Sequence, residues 1–190
     1  VKSLFFGLFV SLFASLSYAI PVESYVDQLK NIPISYEASG TICEQVARLE
    51  VMKQYPDNQF ETVTGIAYGD SQRTIGELDV IVFNRTTNMV VIIAEVKCWK
   101  DLAAAHTKAL AQRTRFLNSM RSSKAFKLFS PTQAYSKQQF MAPDLQFITI
   151  SQAGGLDYGF TYALEHSLNE LMSLRTLMLR CQSDNLCARP

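Results

Sequence analysis

The chain opens on an apolar run. From Leu4 to Leu16 hydrophobic residues are interrupted only by small ones, Lys2 precedes them, and Ser17-Tyr18-Ala19 has the small-x-small form of a cleavage site. This pattern predicts a secretory signal over residues 1–19 and a single domain over residues 20–190. The run is short for a bilayer span and no second run of that length follows, so no stable membrane insertion is expected once the signal is removed.

Beyond residue 20 the pattern becomes that of a layered domain. Ile42, Val46, Leu49 and Met52 recur at helical spacing and predict a first helix over Thr41 to Tyr55, closed by Pro56-Asp57-Asn58. Three strand-like runs follow: Glu61 to Tyr68, Leu78 to Phe83, and Met89 to Val96 after a turn at Asn84 to Asn88. Met89 to Val96 is almost wholly β-branched or apolar, as in a central strand covered on both faces. Asp101 to Met120 lacks Gly and Pro and is rich in strong helix formers, so it predicts a long helix. Ser122 to Pro143 is polar and mixed, with a short helix expected after Ser130-Pro131. Leu145 to Ile150 reads as a fourth strand, Gly154-Gly155 as a loop, and Tyr162 to Arg180 as a final helix carrying Leu164, Leu168, Leu171, Met172 and Leu179. This order predicts an α/β fold: a central mixed β-sheet flanked by α-helices.

Charge narrows the function classes little. The sequence holds 18 Lys and Arg against 17 Asp and Glu, and removing Lys2 with the signal makes them equal, so overall charge gives no general attraction to nucleic acid. Local distribution differs. Between Lys97 and Lys127 stand Lys97, Lys100, Lys108, Arg113, Arg115, Arg121, Lys124 and Lys127 against one acid, Asp101, a segment able to track a phosphate backbone or simply to face water. Trp99 and Phe116 within it are expected in the core. Four cysteines in an exported chain suggest disulfides: Cys181 and Cys187 bracket a short polar loop, which leaves Cys43 for Cys98. Zinc is disfavoured, since there is no C-x-x-C pair and His106 and His166 are remote, as expected of helix-surface histidines. Val1 fits a non-standard start codon, and with the signal it suggests a bacterial protein of the periplasm or the medium. No nucleophile-elbow, zincin, Walker or dinucleotide-binding pattern occurs.

The chemistry concentrates in Gly76-Glu77-Leu78-Asp79 and Glu95-Val96-Lys97. Strand alternation points Glu77 and Asp79 the same way along their strand, and Glu95 and Lys97 the same way along theirs, and hairpin neighbours would bring Asp79 and Glu95 to one point. As three residue types they are no more than a salt-bridged strand end. Following a run as apolar as Met89 to Ala94, they need a further reason to be there. Two close carboxylates repel unless a cation lies between them, and an oxygen-only site suits Mg²⁺, or Mn²⁺.

These residues resemble the PD-(D/E)xK nuclease superfamily, in particular its bacterial branch related to Holliday-junction resolvases. There a G-E-[IL]-D strand precedes an E-V-[KR] strand, and Gly40-x-x-x-Glu44-x-x-Ala47 matches the G-x-x-x-E-x-x-A pattern of the branch's first helix. The likeness spans roughly residues 40–117. It implies a restriction-endonuclease-like core and Mg²⁺-dependent endonucleolytic hydrolysis of phosphodiester bonds, with DNA the expected substrate. It also implies metal ligation by Glu44, Asp79, Glu95 and the Val96 carbonyl, and a catalytic role for Lys97. Gln112 corresponds to a glutamine that many members place near the scissile phosphate, a solvent-facing side chain being the alternative. Glu77 is either a further acid of the centre or a solvated strand edge. The export signal and the region after Met120 have no counterpart in that branch. They leave open a second function class, a catalytically inactive nuclease fold serving as a nucleic-acid-binding or envelope interaction module.

Overall fold

The computed structural model describes residues 21–70, 72–122 and 126–190. The expected signal at residues 1–19 and Lys124 of the basic segment lie outside these. Elements run α1 (Tyr25–Leu29), α2 (Ser39–Gln54), β1 (Phe60–Gly69), β2 (Thr74–Asn84), β3 (Met89–Val96), α3 (Leu102–Arg121), β4 (Lys127–Phe129), β5 (Ala134–Tyr135), β6 (Gln146–Ser151), β7 (Tyr162–Ala163) and α4 (Leu168–Ser183). The strands form one mixed sheet in the order β5-β4-β1-β2-β3-β6-β7. β6 lies parallel to β3, and β7 parallel to β6, while the remaining neighbours are antiparallel.

The α/β layering is as expected. One core lies between the sheet and α1, α2 and α4, built on Ile42, Val46, Val80, Val82, Ala94, Leu171 and Leu174. A second lies on the α3 side around Ile66, Tyr68, Leu78, Ile93, Phe116 and Phe140. Phe116 is its hub, with ring contacts to Tyr68, Phe126, Phe140 and Phe147. β3 is sandwiched between these cores, and so reads as an unbroken apolar run.

Both disulfides form as the spacing suggested. Cys43 pairs with Cys98 across a Cα–Cα distance of 6.3 Å, and Cys181 with Cys187 across 5.2 Å. Among the described residues no helix is long and apolar enough to cross a membrane.

Several expectations need correction. The last helix starts at Leu168, not Tyr162, because Ser167 and Glu170 form a capping box that nucleates it there, while Tyr162 and Ala163 join the sheet as β7. The segment after α3 contributes β4 and β5, and its helical turn falls at Lys137–Phe140. Trp99 is 42% exposed rather than core, and its carbonyl accepts a hydrogen bond from Gln152 Nε2 at 2.7 Å. His166 is buried, with its ring edge-on to Tyr25.

Candidate active site

Gly65 sets the geometry. Its φ of +74° reverses the pleat of β1, so Thr64 faces α2, accepting a hydrogen bond from Gln45, while Ile66 turns to the α3 side. β2 follows: Val80 joins the α2 core and Leu78 the α3 core, with Asp79 at the break. The β1–β2 register pairs Thr64 with Val80 and Ile66 with Leu78, which places Asp79 opposite Gly65.

The β2–β3 ladder ends at the Val80–Ala94 pair, one step short of Asp79 and Glu95. There the Asp79 carboxylate replaces the ladder. Its Oδ2 accepts the Val96 N–H at 2.7 Å and the Lys97 ammonium at 2.6 Å. Lys97 Nζ also donates to the Val96 carbonyl at 2.8 Å and stands 3.7 Å from Glu95 Oε2. The expected trio therefore meets at one point, with side-chain exposures of 8% for Asp79, 2% for Glu95 and 11% for Lys97. This is not a solvated strand end.

Glu95 is the least hydrated member. Its Oε2 is buried without a hydrogen-bond partner, and burial together with the Asp79 charge pushes its pKa up to about 8, against the opposing pull of Lys97. Glu44 reaches the centre from α2. Burial first, then the charge of Asp79, raises its pKa to about 7. Glu77 stands on the exposed rim of the same side, with its pKa raised by partial burial and by Asp79. Glu44 and Glu77 line a cleft of about 480 Å³ with Thr64 and Gly65, whereas Glu95 opens into a cavity of about 280 Å³ with His106, Arg113 and Thr149. Asp79 and Lys97 lie between the two.

α3 supplies the remaining expected residue. Ala105, Ala109, Gln112, Phe116 and Met120 fall at helical spacing, and the apolar four are buried. Gln112 thus shares the sheet-facing stripe rather than facing solvent, and its Oε1 is buried without a partner. That stripe was readable in the sequence. His106 was missed as a lining residue; its ring packs 5.0 Å from that of Phe160 against a loop joined to the sheet only by the fold.

The oxygens available to a cation are all hard donors: carboxylates, a backbone carbonyl and an amide carbonyl. Two of them, on Glu95 and Gln112, are buried and unpartnered, and an ammonium already stands among Asp79, Glu95 and Val96. This donor set fits Mg²⁺ in kind. Among the described residues no three His, Cys, Asp or Glu side chains stand together in metal-ligating geometry. Comparison with protein-family models, curated proteins and solved structures finds no match.

Proposed function

We propose that the protein is an exported, divalent-metal-dependent nuclease with a restriction-endonuclease-like core of the PD-(D/E)xK kind, hydrolysing phosphodiester bonds in DNA. One observation carries the reading: Asp79, Glu95 and Lys97 meet in a buried, polar break between two strands, a costly arrangement that contributes little to folding. Glu44, Asp79, Glu95 and the Val96 carbonyl would hold Mg²⁺, or Mn²⁺. When bound, the ion would polarise the phosphate and lower the pKa of a water.

The chain's own residues do the rest. Lys97, on the Asp79 side of the centre, orients the attacking water and offsets negative charge developing at phosphorus. Burial and the Asp79 charge raise the pKa values of Glu44 and Glu95 in the metal-free chain, and a cation held among them would favour their ionised forms. Gln112 positions the scissile phosphate through its amide. Burial limits bulk water around Asp79, Glu95 and Lys97 and so strengthens each electrostatic contact.

The test is to incubate residues 20–190, oxidised at both disulfides, with supercoiled plasmid and Mg²⁺ or Mn²⁺, with and without EDTA. Metal-dependent nicking that EDTA abolishes is expected. Absence of cleavage with every divalent ion tried, or cleavage unaffected by chelation, would overturn the reading.

A further inference from the structure

A further cleft, about 540 Å³ in volume, lies beyond the site between α3 and the far end of the β1–β2 hairpin. Arg73 enters it from the hairpin, Arg115 from α3, and Asn118 adds a neutral amide, while the Thr114 and Ser119 hydroxyls donate to the Leu110 and Arg115 carbonyls. Both arginines are exposed, and among the described residues neither guanidinium forms an ion pair or a side-chain hydrogen bond. Asp70, the one acid among the described lining residues, accepts the Gln72 and Arg73 backbone N–H groups at 2.8 and 3.0 Å.

The cleft shares no lining residue with the two openings at the centre, and the buried ring of Tyr68 lies close to both. Tyr68 pairs with Gly76 across the hairpin, and a Cβ at Gly76 would lie 2.5 Å from the Tyr68 hydroxyl, so glycine is what lets the ring lie there. That hydroxyl lies within electrostatic reach of Arg115 on one side and of Glu95 and Asp79 on the other. Along β2, Ile75 at the cleft is four residues from Asp79, about 13 Å at 3.3 Å per residue. That spans about four steps of a nucleic-acid strand at 3.4 Å per nucleotide.

We propose that this cleft is a phosphodiester-binding subsite, with Arg73 and Arg115 gripping the backbone of the same nucleic acid whose scissile bond lies at Asp79. The inference rests on the nuclease reading and gives it a direction: the substrate runs from the carboxylate centre toward the hairpin end. Guanidinium forks suit phosphate oxygens, and contacts to the backbone carry no base identity.

The experiment measures binding of residues 20–190 to a short fluorescent DNA duplex and to its single strand, in EDTA, over a series of salt concentrations. Arg73→Gln/Arg115→Gln should bind about 10- to 100-fold more weakly at low salt. The slope of log affinity against log salt should be shallower by about 1.8 on duplex, or about 1.4 on single strand, as for two lost phosphate contacts. Arg180→Gln, on the outer face of α4, should bind like wild type and controls for charge alone. Duplex carrying uncharged methylphosphonate linkages should bind wild type and the double variant equally. A double variant with the wild-type slope, an equal loss in Arg180→Gln, or no binding by wild type would overturn the subsite. Cleavage by the same proteins is scored separately: an arginine-dependent slope without cleavage sinks the hydrolytic reading alone, and cleavage without that slope sinks the subsite alone.

Discussion

At the scale of single residues, the Lys97 ammonium is the positive charge that the chain itself supplies between the two carboxylates. It neutralises Asp79 and approaches Glu95, which would otherwise face each other across a break with no ladder hydrogen bond. Removing one partner of a buried ion pair costs about 3–5 kcal/mol. Lys97→Met should therefore lower the unfolding free energy, measured with urea in EDTA, by that much, and Mn²⁺ should recover more stability in the variant than in wild type. Equal recovery in both proteins would contradict a shared cation position. The pH dependence has a definite sign. Glu44 and Glu95 have folded pKa values of about 7 and about 8, above the ordinary value near 4.3, so the folded chain retains protons that the unfolded chain releases. The stability they contribute is fully present below about pH 4.3 and is lost as pH rises through 7 to 8. For Glu44 alone this is on the order of 3 kcal/mol. Urea unfolding in EDTA should give a higher midpoint at pH 5 than at pH 8, and saturating Mg²⁺ should reduce the difference. A metal-free protein equally stable at both values would place these carboxyls in water.

Among the elements, the Cys43–Cys98 bridge is tied directly to the site. It joins the neighbour of Glu44 on α2 to the neighbour of Lys97 beyond β3. Closing a separation of 55 residues stabilises by about 4 kcal/mol in the chain-entropy picture, against about 2 for the six-residue Cys181–Cys187 loop. Cys43→Ala/Cys98→Ala should lose more stability than Cys181→Ala/Cys187→Ala, as thermal melts would show. It should also lose activity under conditions where it remains folded, because α2 is then free to carry Glu44 away from Asp79. Gly65→Ala should be similarly disruptive: the left-handed backbone at φ +74° strains any Cβ, and that atom would approach Glu77 Oε1 to 3.2 Å. Element identity was largely legible. β3 occupies the expected Met89–Val96, since a strand buried on both faces has sharp hydrophobic ends. β4, β5 and β7 were not legible, because strands of two or three residues have no period and form only by docking on a sheet already built. The start of α4 was misjudged because apolar spacing outweighed the Ser167–Glu170 capping signal.

For the whole molecule, the sheet divides the functional groups between two sides and rejoins them at its break. Glu44 and Glu77 approach from the α2 side, Glu95 and Gln112 from beneath α3, and Asp79 with Lys97 connects them. The convergence of Asp79 with Glu95 and Lys97 was legible from strand alternation. The access clefts were not, because they depend on how hairpin, α3 and β6 meet. The basic run from Lys97 to Lys127 is dispersed rather than continuous. Lys97 is spent inside the site, Arg113 stacks 5.0 Å above the Phe147 ring, and Arg115 pairs across a cleft with Arg73, which the run did not contain. The most direct measurement is the initial rate of plasmid cleavage against Mg²⁺ concentration for wild type, Asp79→Asn, Glu95→Gln and Lys97→Met, each shown folded by its melt. Saturable Mg²⁺ dependence in wild type, and a loss of at least about 100-fold in each variant, are expected. Wild-type rates in Asp79→Asn or Glu95→Gln would contradict a catalytic centre at the break between β2 and β3.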